Sequence, residues 1–173
     1  MYAPLPCSLS CLLSYPCNFS QHVFTVSVHA DQTEFSIFLI AQTPLIVATD
    51  IRNMTSIMQQ ALLNAELLAI HRDIRTPPGD ILGFAPCDAS NPTACQLWGR
   101  ALFNTSTYAA VLFNAGENTY NVTLDLALID WADETVAVRD MFNHVDLPGT
   151  YEGQYTAELA PHASTFVLLQ KTA

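Results

Sequence analysis

The hydrophobic period of the sequence changes at Thr76-Pro77-Pro78-Gly79, and this change constrains the fold more than any other feature. Before the prolines, apolar residues recur at helical spacing, whereas after them apolar and polar residues alternate as in half-buried strands. Proline and glycine together interrupt regular structure, so the run marks a boundary. We therefore predict a helix-containing segment over residues 31–77 and an antiparallel β-sandwich over residues 78–173.

The first segment is predicted to contain two helices and a buried strand. Asp31, with a glutamate three residues later, caps a helix that runs to Gln42 and is apolar nearly all round. Pro44 ends this helix, and the apolar run at residues 44–49 is typical of a buried parallel strand. A second helix is predicted from about Thr55. This order of elements is typical of an α/β fold, and one strand makes no sheet, so we expect the end of a larger α/β domain.

The second segment contains short runs separated by turn residues. The run at residues 107–113 is apolar on both faces, which indicates a central strand. In the next run we expect one face to carry Tyr120, Val122, Leu124, Leu126 and Leu128, and the other Asn121, Thr123 and Asp125. Further strands are predicted at residues 134–140, 150–159 and 164–170. This spacing favours an antiparallel sandwich of Greek-key type with about ninety residues.

Charge and hydropathy exclude several classes of partner. The 173 residues include 6 basic and 16 acidic side chains, for a net charge of −10. Such a surface repels phosphate, so we expect no nucleic acid and no anionic membrane as a partner. No apolar run reaches the length of a membrane span. Residues 1–30 lack the basic region of a signal peptide, and we interpret them as an atypical leader that is disordered or wrongly joined.

Cysteines and glycosylation motifs give two further expectations. Cys87 and Cys95 enclose a small polar loop, and they either form a disulfide or remain two free thiols. The N-x-[ST] pattern occurs at Asn18, Asn53, Asn104 and Asn121. Four such sites in a chain poor in lysine favour a secreted, lysosomal or vacuolar protein.

Candidate acids and bases cluster in residues 138–162. They are Asp140, Asp146, Glu152 and Glu158, with His144 and His162 as bases. Strand alternation places Glu152 and Glu158 on an outward face, where a solvated carboxyl is a poor proton donor. The other four lie in turns, where we expect such side chains to bond turn backbone. No catalytic residue is predicted here.

Other motifs for catalysis, metals and cofactors are absent from the sequence. It contains no G-x-S-x-G, H-E-x-x-H, C-x-x-C or phosphate-binding glycine motif, so no metal and no cofactor are predicted. His22 and His29 are spaced to lie on opposite faces of a strand. Asp50 follows the run at residues 44–49 and would lie on the active-site face of a barrel. A structural partnership with Arg52, or a cap for the next helix, is the favoured interpretation.

Several segments together resemble the α-galactosidases of glycoside hydrolase family 27. TEFSIFLIAQTPLIVATDIRNMT and NAELLAIHRD look like the end of that family's catalytic barrel. The matching residues are Phe35, Ser36, Pro44, Leu45, Asp50, Ile51, Arg52, Asn64, Ala69, Ile70 and Asp73. Phe38 stands where the family usually has tryptophan. CQLWGRAL, YAAVLFNAGENTYNVTL and VRDMFNHVDLPGTYEGQYTAELAPH resemble the family's C-terminal antiparallel domain.

The resemblance implies a retaining enzyme that removes terminal α-linked galactose with two aspartates. Both aspartates belong to barrel motifs that would precede Asp31, and neither motif is present, so no catalytic residue carries over. We expect an α+β chain: the last units of a (β/α)8 barrel followed by a sandwich, inactive alone. We expect it to bind an α-galactoside substrate only when an upstream barrel is present. The full-length parent protein is a candidate homodimer.

Two other functions are compatible with the sequence. A non-catalytic sandwich could bind carbohydrate through aromatic rings, for which the candidates are Trp98, Trp131, Tyr151 and Tyr155. Alternation places Tyr151 and Tyr155 on the apolar face, which favours core packing. Alternatively, an incomplete barrel would expose apolar faces of residues 35–48 to an interaction partner.

Overall fold

The fold is described from a computed structural model over residues 28–46 and 51–172. Three helices come first: α1 (Val28–Ile40), α2 (Ser56–Leu62) and α3 (Ala65–His71). A short 3₁₀ helix, Ile51–Asn53, precedes α2. In these ranges no helix has the length and apolar character needed to cross a membrane.

Antiparallel strands dominate the described chain after Gly79. They are β1 (Asp80–Ala85), β2 (Cys95–Ala101), β3 (Thr107–Asn114), β4 (Tyr120–Asp125), β5 (Thr135–Asp140), β6 (Val145–Asp146), β7 (Tyr151–Glu152), β8 (Gln154–Leu159) and β9 (Ser164–Lys171). The large sheet has the order β1-β2-β3-β9-β5-β6, and β7 pairs with the other end of β5. β4 and β8 form a separate two-stranded sheet. The five runs after residue 106 that are predicted as strands all contain strands, although Gly153 at φ +69° divides the run at residues 150–159 into β7 and β8.

The interior of the sandwich lies between the two sheets. Val122 and Leu124 of β4 are buried against it, as the alternation predicts, and Leu126 joins them. Leu128 does not, because β4 ends at Asp125, whose side chain accepts a hydrogen bond from the backbone N–H of Ala127. The chain then turns into the 3₁₀ helix Leu126–Ile129, so period-two alternation no longer applies and Leu128 is 49% exposed.

A second core lies on the opposite face of the large sheet, beneath the three helices. The sheet contributes Trp98, Ala109, Val111 and Phe166, and Met141 joins them from the turn after β5. The helices contribute Phe35, Phe38, Leu39, Ile40, Met58, Ala61, Leu67 and Ile70. β3 is therefore buried on both faces, which confirms the predicted central strand. Residues 28–46 and 51–172 thus form three layers: helices, large sheet and small sheet. The helical segment is packed onto the sandwich, so residues 31–77 and 78–173 share a core.

The helices begin and end at different residues from those predicted. α1 begins at Val28, which places Asp31 inside the helix and not at its cap. α2 begins directly after Thr55, close to the predicted start. Thr55 is its N-cap, and its hydroxyl accepts a hydrogen bond from the backbone N–H of Met58 at 3.3 Å. The predicted second helix is broken at Asn64, which caps a separate α3.

The predicted buried strand is not seen in the part of the run that the structure describes. Residues 43–46 have no regular structure, and Ile46 is 60% exposed. Asp50 and the rest of the run lie outside the described residues, as do His22 and residues 1–27 of the predicted leader. Most of the apolar face of α1 is buried on the sheet, so the large exposed patch expected over residues 35–48 is wrong for α1.

The connection between helices and strands is tight at Gly79. Its backbone N–H donates to the carbonyl oxygen of Ile40 at 2.8 Å, which ties the end of α1 to the start of β1. A Cβ at Gly79 would lie 2.6 Å from the Ile40 side chain. The backbones approach so closely here that only glycine fits, which is why the boundary run ends in this residue.

Candidate functional site

The candidate carboxylates of the small sheet face solvent. Glu158 lies opposite Asn121 on the outer face of the β4–β8 pair, and Glu152 is exposed on β7. On the same outer face the Thr123 and Thr156 hydroxyls share a hydrogen bond of 2.8 Å. The outward position predicted for both glutamates is confirmed, and among the described residues neither faces a second carboxyl across a cleft.

Asp140 performs the turn role expected of it. Its Oδ1 accepts hydrogen bonds from the backbone N–H groups of Phe142 and Asn143, both at 3.0 Å. Its Oδ2 accepts one from Nδ2 of Asn143 at 2.7 Å. A carboxylate that accepts three bonds within its own turn is a structural group.

His144 and Asp146 do not bond turn backbone, so that expectation is wrong for both. His144 Nδ1 lies 2.8 Å from Oε1 of Glu66 on α3, and Asp146 Oδ1 accepts from Nη1 of Arg139 at 2.8 Å. Arg139 also donates to both carboxylate oxygens of Glu66. These four side chains form an ion-pair cluster that connects α3 to β5, and we call it the Glu66 cluster.

The electrostatics of the Glu66 cluster stabilise charge on its central carboxylate. The hydrogen bond from Arg139, followed by that from His144, lowers the pKa of Glu66 from 4.5 to about 2. The bond to Glu66, followed by that to Asp146, raises the pKa of Arg139 further above its usual range. A general acid needs the opposite shift, a carboxyl pKa raised toward neutrality. The Glu66 cluster is therefore suited to holding a helix on a sheet.

Two buried polar side chains make further connections between helices and sheet. Asn64 Oδ1 accepts from the backbone N–H groups of Glu66 and Leu67, and its Nδ2 donates to the carbonyl oxygen of Met141 at 2.8 Å. Arg100 on β2 is only 2% exposed. Its guanidinium donates to the carbonyl oxygens of Ile70, Asp73, Thr76 and Pro77. Arg100 thus satisfies the end of α3 and the boundary run from within the sheet.

His162 occupies a left-handed turn position (φ +59°) between β8 and β9. Its Nε2 is 3.5 Å from a carboxylate oxygen of exposed Glu117, and its carbonyl oxygen accepts from the hydroxyl of Thr33 on α1 at 3.3 Å. The Thr33 hydroxyl also donates to Oγ of Ser164 at 2.8 Å. The turn is therefore another contact between α1 and the sandwich. Because the His162 side chain bonds no turn backbone within the described residues, that expectation is wrong for it as well.

Cys87 and Cys95 form a disulfide, which decides between the two alternatives for these thiols. The loop that it closes is further held by Asp88, whose Oδ2 accepts from the Tyr120 hydroxyl at 2.5 Å. Hydrogen bonds from Ser90, then from Tyr120, lower the pKa of Asp88 to about 2. The bond to Asp88 also raises the pKa of Tyr120.

The aromatic candidates for sugar binding are mostly buried. Trp98, Trp131 and Tyr155 are buried, and Tyr151 packs edge-on against Tyr155 with ring centroids 5.2 Å apart. Burial raises the pKa of Tyr155 to about 12. Lys171 lies 4.7 Å from the centre of the Trp131 ring. Core packing is therefore confirmed for Tyr151 and Tyr155, and these rings offer no open platform for a sugar.

Potential metal ligands and glycosylation motifs are the remaining candidate sites in the molecule. Among residues 28–46 and 51–172, no three His, Cys, Asp or Glu side chains are grouped as metal ligands. The asparagines of three motifs, Asn53, Asn104 and Asn121, are exposed. Asn18 lies outside the part of the chain that is described.

Comparisons with known sequences point to one enzyme family. The family described as alpha galactosidase C-terminal beta sandwich domain matches residues 93–169. Alpha-galactosidase 3 of Arabidopsis thaliana is 28% identical over 141 residues, covering 80% of this chain and 31% of that protein. An alpha-galactosidase of Oryza sativa subsp. japonica is 27% identical over 132 residues, covering 76% and 29%. The chain spans about a third of the length of these relatives.

Solved structures share the fold. α-Galactosidase I from Mortierella vinacea superimposes with a TM-score of 0.77 at 20% identity, over 90% of this chain and 38% of that chain. A GH27 β-L-arabinopyranosidase from Geobacillus stearothermophilus gives 0.74 at 20% identity, over 85% and 31%. These proteins are named for different sugars, so the shared fold does not identify a substrate. Residues 93–169 therefore match the α-galactosidase C-terminal β-sandwich family, and the chain as a whole is similar in sequence and fold to the C-terminal part of α-galactosidases.

Proposed function

We propose that this chain is the C-terminal supporting part of an α-galactosidase-like glycoside hydrolase, and that it has no glycosidase activity alone. Hydrolysis of terminal α-D-galactosyl residues would require a catalytic barrel upstream of residue 31. On this proposal residues 31–77 are the last units of that barrel, and residues 78–173 are the β-sandwich behind it. The structural similarity covers 90% of the chain, more than the sandwich alone, which supports the assignment of the helices.

The observation that carries the proposal is the state of the carboxyl groups. Within the described ranges, each carboxyl whose pKa departs from its ordinary value is shifted downward: Glu66, Asp73 and Asp88. In each case the cause is a hydrogen bond within the structural framework. A retaining glycosidase needs one carboxyl with a raised pKa close to a second, ionised carboxyl. The groups present here hold helices and loops in place.

A supporting role also fits the contacts between the layers. Asn64, Glu66 and Arg100 join the helices to the large sheet through hydrogen bonds, and the second core joins them through apolar packing. A sheet that holds helices in this way can fix the end of a barrel in position. The Cys87–Cys95 disulfide supports a secreted or vacuolar location, since disulfides persist in oxidising compartments.

The assay for this proposal is release of nitrophenol from p-nitrophenyl α-D-galactoside by the purified 173-residue chain. The rice α-galactosidase serves as the positive control. We expect no release above the buffer rate, and release that scales with chain concentration and survives repurification would overturn the proposal. Titration calorimetry with galactose and melibiose tests the alternative of a carbohydrate-binding sandwich. We expect no heat of binding, because the candidate rings are packed into the core or against each other.

A further inference from the structure

An aromatic ring is held in the open at the end of β2. Phe103 is 55% exposed, and neighbouring Ile74, between two residues that contact Phe103, is 85% exposed. The Arg75 guanidinium lies over the ring at 3.8 Å from its centre. Asp73 accepts from Arg75 Nε at 3.0 Å and from the Phe103 backbone N–H at 2.9 Å. We call Asp73, Arg75 and Phe103 the Phe103 platform.

The Phe103 platform is organised before anything binds it. The bond from the Phe103 N–H, then that from Arg75, lowers the pKa of Asp73, so the carboxylate stays charged and holds both partners. Arg75 covers one face of the ring and leaves other parts of it open to water.

The residue after Phe103 carries a modification motif in a suitable turn. Asn104-Thr105-Ser106 matches N-x-[ST] in the connection between β2 and β3. Asn104 Oδ1 accepts from the backbone N–H of Ser106 at 3.2 Å, and its carbonyl oxygen accepts from Thr107. Within the described part of the chain, Nδ2 of Asn104 donates no hydrogen bond. The nitrogen that a glycan would use is therefore exposed, while the oxygen beside it holds the turn.

We propose that Asn104 carries an N-linked glycan and that its first sugar packs on the open side of Phe103. The donor class is an oligosaccharide linked to a lipid pyrophosphate. Asn104 Nδ2 forms a bond to the anomeric carbon of the sugar and loses one proton. The bond from that carbon to the phosphate oxygen breaks, and the lipid pyrophosphate leaves with the electron pair. The C–H face of the attached sugar then covers apolar area that water otherwise contacts.

The motif at Asn121 provides a contrast within the same chain. Asn121 is exposed on β4 and is also preceded by an aromatic residue, Tyr120. Successive residues of a strand point to opposite faces, so Tyr120 is directed away from Asn121. Its hydroxyl is bound to Asp88, and its ring packs against the sandwich core. A glycan on Asn121 would therefore lack an aromatic partner, whereas one on Asn104 would have Phe103.

Occupancy is tested by secreting the full 173-residue chain from yeast behind a heterologous signal peptide. Peptide N-glycosidase in ¹⁸O water converts each glycosylated asparagine to labelled aspartate, which mass spectrometry locates. We expect label at Asn104 in the wild type and in Ser106→Thr, and none there in Ser106→Ala. An unlabelled Asn104 in folded, secreted chain would overturn the proposal.

Packing on Phe103 is tested by the melting temperature of glycosylated and unglycosylated chain in two backgrounds. With Phe103 present, loss of the Asn104 glycan through Ser106→Ala should lower the melting temperature by roughly 2–4 °C, the effect of one aromatic contact in a domain of this size. In the Phe103→Ala background, loss of the Asn104 glycan should lower the melting temperature by less than half as much. Asn121→Gln is the matched control, and its effect should be equal in both backgrounds. Equal effects of Ser106→Ala in the two backgrounds would exclude packing on the ring.

Discussion

Arg139 on β5 holds Glu66 of α3 through two hydrogen bonds, from Nε at 2.8 Å and from Nη2 at 3.0 Å. The two residues are 73 positions apart in the chain, and His144 adds a third bond to the same carboxylate. This relationship gives two of the candidate groups in residues 138–162, His144 and Asp146, a structural role. It also fixes where α3 lies on the sheet.

Replacing Glu66 by glutamine should destabilise the chain in a way that depends on pH. The pKa of Glu66 is about 2 in the fold and 4.5 ordinarily, so its contribution is fully present above about pH 4.5 and is lost as pH falls through about 2. Because the Glu66 side chain is 35% exposed, we expect a loss of only about 1 kcal/mol in the free energy of unfolding near neutral pH. Urea unfolding across pH measures this difference, with Glu158→Gln on the exposed face as control. A difference that stays constant into the strongly acidic range would contradict the lowered pKa.

Asn64→Ala should cost considerably more than loss of an ordinary helix cap. The variant loses the cap of α3 and also leaves the buried carbonyl oxygen of Met141 without the Asn64 amide. These two losses together predict about 2–3 kcal/mol in the free energy of unfolding. Thr55→Ala removes only the cap of α2 and should cost about 1 kcal/mol. Equal losses for the two variants, measured by chemical denaturation, would show that the contact with Met141 contributes nothing.

Arg100→Met should prevent stable folding, or cost at least about 3 kcal/mol, because several carbonyl oxygens around the boundary run would lose their buried donor. Arg100→Lys keeps the charge but has too few donors for all of them, so we expect an intermediate loss. Arg72→Met changes an exposed arginine next to the same segment and is the control. Soluble yield and thermal unfolding are the measurements, and wild-type stability of Arg100→Met would be the contrary result.

Reduction of the Cys87–Cys95 disulfide should lower the melting temperature without unfolding the protein at room temperature. The loop closed is short, with a sequence separation of 8, and loop entropy predicts a stabilisation of about 2–3 kcal/mol. A Cys87→Ala, Cys95→Ala double variant should melt at the temperature of the reduced wild type, because the buried Cys95 site accepts an apolar side chain. Insensitivity of the double variant to reductant is the internal control. If the double variant melts at the same temperature as the oxidised wild type, the disulfide does not stabilise the fold.

The strands were largely predictable from sequence because the alternation of apolar and polar residues within each strand shows which of its faces is buried. The two apolar faces of β3 indicated a central strand, and the alternation of residues 151–159 placed Tyr155 inside and Glu158 outside. The same rule was wrong at Leu128, where the cap by Asp125 begins a 3₁₀ helix. A side chain that hydrogen-bonds nearby backbone, as Asp125 does, can end a strand before its hydrophobic pattern ends.

The connections between helices and sheet were not predictable in the same way. No sequence motif links Glu66 to Arg139, so their ion pair could not be predicted. Similarly, no residue near Arg100 in the sequence indicates that its charged side chain is buried. Asn64 offered the one available signal, since asparagine before a glutamate-containing apolar run is typical of a helix cap. Pairings between distant residues arise only when the layers pack.

The helices and the sandwich should fold as one cooperative unit, because they share the second core. Trp98 lies in the helix–sheet core and Trp131 in the sandwich core, so each reports on one layer boundary. The Trp131→Phe variant retains Trp98 as its one tryptophan, and the Trp98→Phe variant retains Trp131. For each variant, the tryptophan fluorescence and the far-ultraviolet circular dichroism are followed during urea unfolding. We predict that fluorescence and dichroism coincide in both variants, as in a two-state transition. Loss of the Trp98 signal at clearly lower urea than the dichroism of the strands would show that the helices detach first, and would contradict the account.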